Sequence, residues 1–123
     1  MARILVVDDE AGLRLLYAQE LADEGYEVVT AGNIEEATTA LQLGGYDLVL
    51  LDIKLKQESG LEFLQTIVKE RHDLPVILST AFSCYKDDFS AWLADGYVVK
   101  SSDLSELKQE IVRVLEKKRA SRS

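Results

Sequence analysis

Four short aliphatic stretches, Ile4-Leu5-Val6-Val7, Leu48-Val49-Leu50-Leu51, Val76-Ile77-Leu78-Ser79 and Tyr97-Val98-Val99, run with almost no polar interruption. Continuous rather than alternating hydrophobicity predicts strands buried on both faces, as in a parallel sheet covered by helices. Between them the apolar spacing turns helical. Leu13, Leu16, Tyr17 and Leu21 predict a first helix, with Gly25 at its C-terminal end, and Tyr26 to Thr30 predicts a further strand. Asn33 followed by Glu36 has the form of a capping box, opening a helix through Ala37, Ala40 and Leu41 that Gly44-Gly45 stops. Ser59-Gly60 turns into a helix with Leu61, Leu64, Ile67 and Val68 inward, and Leu74-Pro75 leads into the next strand. Asp87 or Asp88 is placed to cap a short helix containing Phe89, Trp92 and Leu93, closed by Asp95-Gly96. Ser101-Ser102-Asp103 opens a last helix with Leu104, Leu107, Ile111, Val114 and Leu115 inward. The pattern is βα repeated along the chain: an α/β fold, a five-stranded parallel sheet with helices on both faces through right-handed crossovers.

The polar residues that end these stretches carry the chemistry. Asp8 and Asp9 follow the first strand, Asp52 the third, Thr80 the fourth and Lys100 the fifth. In open α/β sheets ligand and catalytic groups gather at the carboxyl edge. Three carboxylates, a hydroxyl and an ammonium therefore converge on one shallow cleft, a set suited to a divalent metal and a phosphoryl group. The three carboxylates repel one another when ionised and require a nearby cation. Mg2+ fits, because it is hard, prefers oxygen and combines one or two carboxylates with water and phosphate oxygens.

Composition narrows the field. A chain of 123 residues with 47% hydrophobic content can bury one sizeable core. No aliphatic run approaches the roughly 20 residues of a membrane span, and Met1-Ala2-Arg3 leads directly into a strand without a signal-peptide pattern. The single cysteine, Cys84, forms no internal disulfide and fits a reducing compartment, so a cytoplasmic location is expected. A formal net charge of −8 argues against nucleic acid as a direct partner, since phosphate binding needs a basic footprint. The basic residues Lys117-Lys118-Arg119 to Arg122 are too few to reverse this, and are expected to complement a helix C-terminus and fray. His72 is a surface residue near a helix end, and Glu35-Glu36 is the acidic first turn of a helix.

The runs Ile4-Leu5-Val6-Val7-Asp8-Asp9-Glu10, Leu50-Leu51-Asp52, Leu78-Ser79-Thr80-Ala81 and Tyr97-Val98-Val99-Lys100, in this order and spacing, resemble the receiver domains of two-component response regulators. The likeness covers nearly the whole chain. It implies a flavodoxin-like (βα)5 fold with strand order 2-1-3-4-5, a receiver domain over residues 1–118 and a short basic tail over 119–123. It also implies that Asp52 is the phosphoacceptor, a carboxylate nucleophile forming an acyl phosphate. Mg2+ would be held by Asp9, Asp52 and the backbone carbonyl of Lys54, with Asp8 acting mainly through a bound water. Lys100 and Thr80 would bind phosphoryl oxygens, and Ala81 would add its amide. Thr80 and Tyr97 would then turn inward together, reshaping the face of the family's fourth helix, fifth strand and fifth helix. The partners implied are a sensor histidine kinase or histidine phosphotransfer protein upstream and a protein target downstream. Such a protein is not a turnover enzyme beyond Mg2+-dependent self-phosphorylation and slow autodephosphorylation. Phe82 and Lys54 occupy positions that in receivers line the path of the hydrolytic water. Phe82, Tyr85, Phe89 and Trp92 form an aromatic-rich segment that is either the recognition surface or core packing.

Three features depart from the family pattern. Ser101 stands where a cis proline usually follows the lysine; a non-proline cis bond costs about 3 kcal/mol, so a trans bond and a rerouted loop are expected. Leu55-Lys56-Gln57-Glu58 lacks the usual proline, and the segment between Thr80 and Lys100 is slightly short. Two other functions suit these residues less well. An aspartate-nucleophile phosphatase of the haloacid dehalogenase type needs a second carboxylate where this chain has Lys54. A dinucleotide or flavin carrier needs a glycine-rich loop that does not follow the first strand. A phosphorylation-independent receiver-like interaction module, and the receiver portion of a longer regulator, remain as alternatives.

Overall fold

The computed structural model describes residues 2–71, 73–81, 93–100 and 103–122. The elements are β1 (Arg3–Val7), α1 (Ala11–Asp23), β2 (Glu27–Ala31), α2 (Ile34–Leu43), β3 (Leu48–Asp52), β4 (Lys54–Leu55), β5 (Glu58–Ser59), α3 (Gly60–Glu70), β6 (Val76–Thr80), β7 (Gly96–Val99) and α4 (Ser105–Arg122). Five strands form one parallel sheet in the order β2-β1-β3-β6-β7. Counted along that sheet, this is the expected 2-1-3-4-5. β4 and β5, which the sequence does not predict, are two-residue strands of an antiparallel hairpin outside the main sheet.

Side chains alternate across each strand, and here both faces are buried. Leu5, Val7, Val49, Leu51 and Leu78 pack with Ala37, Leu41, Leu64 and Ile67 of α2 and α3. Ile4, Val6, Leu48, Leu50 and Ile77 pack on the other side with Tyr17, Leu21, Leu107, Ile111 and Val114 of α1 and α4. Unbroken aliphatic runs are the consequence of this two-sided burial.

Local signals explain the helix limits. The Asn33 side chain accepts from the Glu36 amide at 2.8 Å, and Glu36 reaches back to the Gly32 amide at 2.7 Å, one residue before the anticipated reciprocal partner. Gly44 and Gly45 take φ of 74° and 86°, which end α2 at little steric cost. The Ser59 hydroxyl accepts from the Glu62 amide at the start of α3. Asp103 accepts from the Ser105 amide at the start of α4, and this helix continues to Arg122, carrying the basic residues with it. Two inner faces differ from expectation. Leu16 is exposed and Leu13 is only partly buried at the edge of the core, whereas Tyr17 and Leu21 are the fully buried α1 residues. Phe63 is buried in α3, with Leu61 and Val68 at its flanks. The anticipated short helix with Asp87, Asp88, Phe89 and Trp92, together with His72, Phe82, Cys84, Tyr85 and the Lys100–Ser101 bond, lies outside the described residues.

Gly60 is the tightest point between scaffold and site. Its amide donates to the Ile53 carbonyl at 2.7 Å, and a Cβ there would lie 2.0 Å from the Asp52 carbonyl oxygen. Gly60→Ala is therefore expected to destabilise the fold by about 1–3 kcal/mol, since backbone must move. Gly12→Ala, in open space on α1, should instead stabilise by about 0.5–1 kcal/mol. Urea unfolding of the two variants checks the contrast; equal effects would contradict it.

Candidate functional site

The carboxyl edge of the sheet fixes the reactive groups because ladder hydrogen bonds continue past the strand ends. The Asp8 amide donates to the Ala31 carbonyl at 3.1 Å, the Ile53 amide to Ser79 at 3.1 Å, and the Lys100 amide to Thr80 at 2.6 Å. Asp8, Asp52, Thr80 and Lys100 are thus held at the ends of sheet strands. Asp8, Asp52 and Thr80 are buried, Asp9 and Lys100 partly so, and Lys54 is exposed.

The side chains converge. One carboxylate oxygen from each of Asp8, Asp9 and Asp52 lies within 4.8 Å of the others. The Lys100 ammonium sits 2.9 Å from Asp8 Oδ2 and 3.1 Å from Asp52 Oδ2. Backbone amides take the opposite oxygens: Glu10 donates to Asp8 Oδ1 at 2.9 Å, and Lys54 to Asp52 Oδ1 at 3.2 Å. Asp9 Oδ2 accepts from the Lys56 amide at 3.0 Å. These groups border a cavity of about 320 Å3 lined by Asp9, Asp52, Lys54, Thr80, Ala81 and Lys100, among others.

Electrostatics follow from burial and crowding. Burial pushes the Asp52 carboxyl up to about 6; Lys100 opposes that rise and Asp8 adds to it. Burial pulls the Lys100 ammonium down, yet the Asp8 and Asp52 carboxylates outweigh it and hold it up at about 12. Lys100 is therefore a fixed positive charge at any physiological pH. Three carboxylates against one ammonium leave the pocket acidic, and an all-oxygen donor set of this kind suits Mg2+.

All the predicted site residues in the described regions except Tyr97 meet in or beside this pocket. Tyr97 stands apart on β7, paired in register with Leu78 and half-buried against the α2/α3 side of the core. Four contributors escaped the sequence. Tyr17 appeared only as a core position, yet its hydroxyl bonds to Ser79 and lies within electrostatic reach of Lys100, Asp8 and Asp52; burial pushes this phenol up. The signal for Ser79 was a hydroxyl at the end of an otherwise aliphatic strand. Arg14 Nη1 donates to the Asp8 carbonyl at 2.6 Å, fastening α1 to the end of β1. Lys56 acts through its backbone amide, which side-chain chemistry does not reveal.

With Mg2+ absent, a carboxyl-carbon NMR titration is expected to give Asp52 a midpoint near pH 6, and Lys100→Met should raise it further by removing the opposing cation. Only an ionised carboxylate can act as a nucleophile, so any nucleophilic reactivity at Asp52 would fall as pH drops through that midpoint. A midpoint in the ordinary carboxylate range, near 3.8, would contradict the electrostatic account.

Residues 4–112 match the family model described as response regulator receiver domain. Among solved structures, the chain is similar to the response regulator TrrA from Thermotoga maritima in complex with Mg2+-BeF, with 50% identity and a TM-score of 0.89, covering 93% of this chain and 99% of that one. TrrA has also been solved with the histidine kinase ThkA, and that copy matches with a TM-score of 0.88. Among curated proteins, a probable transcriptional regulator ycf27 of Cyanophora paradoxa is 40% identical over 115 residues, 92% of this chain and 48% of its own length. The uncharacterized transcriptional regulatory protein YkoG of Bacillus subtilis is 40% identical over 106 residues, 46% of its length. The chain thus spans about half the length of these curated relatives. No helix among the described residues is long and apolar enough to cross a membrane. With its parallel sheet, its acidic pocket at the carboxyl edge and a family match over most of its length, this chain belongs to the response-regulator receiver domains.

Proposed function

We propose that this receiver takes a phosphoryl group onto Asp52 from a phosphohistidine of a sensor kinase or phosphotransfer protein. The observation that carries the reading is the buried Asp52 carboxylate paired with Lys100 beside two further carboxylates. A carboxylate oxygen of Asp52 attacks phosphorus as the phosphorus–nitrogen bond of the donor breaks. The imidazole nitrogen leaves with the electron pair, and an acyl phosphate remains on Asp52. Asp9, Asp52 and the Lys54 carbonyl would hold Mg2+, with Asp8 acting through a water. When bound, the ion supplies positive charge beside the phosphoryl oxygens. Lys100 already touches Asp52 and needs only to shift its contact to a phosphoryl oxygen. Exposed Lys54 flanks the opening, where it would attract an anionic donor and screen the product.

Output rests on Thr80 and Tyr97. Thr80 is buried at the pocket, and its hydroxyl would turn toward the phosphoryl group, leaving space that Tyr97 follows. Tyr97 is tied to α4, its amide donating to Glu110 Oε2 at 3.3 Å, while Arg113 pairs with Glu110 at 2.6 Å. Rotation of Tyr97 would thereby be felt on the β7/α4 face, where a protein target is expected to read it. The kinase complex of TrrA supports an upstream kinase. The length of the curated relatives favours a second context, in which this unit serves as the receiver of a longer transcriptional regulator.

Intact-mass spectrometry after incubation with Mg2+ and a small acyl-phosphate donor tests the function. The wild type is expected to gain one phosphoryl group, and Asp52→Asn none. An unmodified wild type, under conditions that load a control receiver, would favour a phosphate-independent interaction module.

A further inference from the structure

Asp8 and Asp52 each have an oxygen on the Lys100 ammonium and another on a neighbouring backbone amide. Asp9 has neither arrangement. It lies in the loop past β1, partly exposed, and among the described residues the hydrogen bond to its carboxylate comes from far along the chain, from the Lys56 amide at 3.0 Å. We propose that the Lys56 backbone N–H is a positioning group for Mg2+, holding the Asp9 carboxylate in the orientation that ligation requires. The proposal rests on reading the acidic pocket as a Mg2+ site.

The hairpin is built to present this amide. β4 and β5 pair Lys54 with Ser59 and Leu55 with Glu58, leaving Lys56 and Gln57 as the turn. Its base is closed by the Gly60 amide on the Ile53 carbonyl. Leu55 is buried in the core, and Glu58 Oε1 accepts from the Ile34 amide at 3.2 Å, tying the hairpin to the start of α2. Anchored at these three points, the turn has little freedom to withdraw the Lys56 N–H. The bond engages Asp9 Oδ2 and leaves Asp9 Oδ1 for a cation. Mg2+ demands near-octahedral geometry, so a carboxylate that rotates freely is a poorer ligand than one fixed by a donor. Removing such outer hydrogen bonds costs roughly 10–100-fold in metal affinity.

The test separates the amide from the ammonium. Among the described residues no non-glycine has a positive φ, which excludes the I′, II and II′ forms for the Lys56-Gln57 turn and leaves forms whose first central φ is near the value proline fixes. Lys56→Pro therefore deletes the donor in a backbone that accepts proline, whereas Lys56→Ala keeps the donor and deletes the charge. Isothermal titration with Mg2+ is expected to show about tenfold weaker binding for Lys56→Pro and near wild-type affinity for Lys56→Ala. Equal affinity in all three proteins, or an equal loss in both variants, would overturn the inference while leaving the metal site intact. A wild type that binds no Mg2+ would overturn the metal reading itself, and the inference with it. The wild-type amide gives a readout that does not depend on the variants folding. Lys56 N–H should exchange slowly with solvent and shift on Mg2+ addition, and fast exchange with no shift would refute the proposal.

Discussion

Lys100 extends its ammonium between Asp8 and Asp52, 2.9 Å from one carboxylate and 3.1 Å from the other, and the pocket depends on that contact. Desolvating two carboxylates is expensive unless an opposite charge is fixed beside them. Burial, with a further push from Asp8, outweighs the Lys100 ammonium and keeps Asp52 well above the ordinary carboxylate range at about 6. The pocket is therefore balanced short of neutrality. Ligands that add positive charge, or that move Lys100 onto a new anion, change its energy most. A phosphorylation switch requires this property, and the rigid sheet beneath keeps the mismatch from relaxing through backbone movement.

Much of this was legible from residue types alone. Unbroken aliphatic runs identified the parallel sheet because both faces are buried, and the polar residues ending them identified the pocket because parallel strands all finish at one edge. Asn33, Gly44 and Gly25 marked helix ends for local reasons that tertiary packing did not override. The inner face of α1 was less legible. Leu13, Leu16, Tyr17 and Leu21 share a helical stripe, but only Tyr17 and Leu21 are fully buried, and the spacing within one helix does not say which part of the stripe the rest of the fold covers.

The hairpin β4–β5 was not legible, for a different reason. Two-residue strands have no periodicity to detect, and their existence depends on Glu58 meeting α2, on Lys56 meeting Asp9 and on Gly60 coming close to the Asp52 backbone. The missing proline in that loop read only as a departure from the family pattern. In the fold it gains a backbone donor aimed at a candidate metal ligand. Tyr17 and Ser79 are a comparable case, since their pairing is visible only once α1 lies against β6.

The charge imbalance of the pocket is most directly tested by denaturant unfolding of the wild type across a Mg2+ series, with Asp9→Asn alongside. Selective binding to the folded state should raise stability with the logarithm of Mg2+ concentration, by about 2.7 kcal/mol at a hundredfold excess over Kd, and Asp9→Asn should lose most of that gain. Wild-type stability independent of Mg2+, or a gain that Asp9→Asn retains in full, would contradict the view of this pocket as a carboxylate cluster short of one cation.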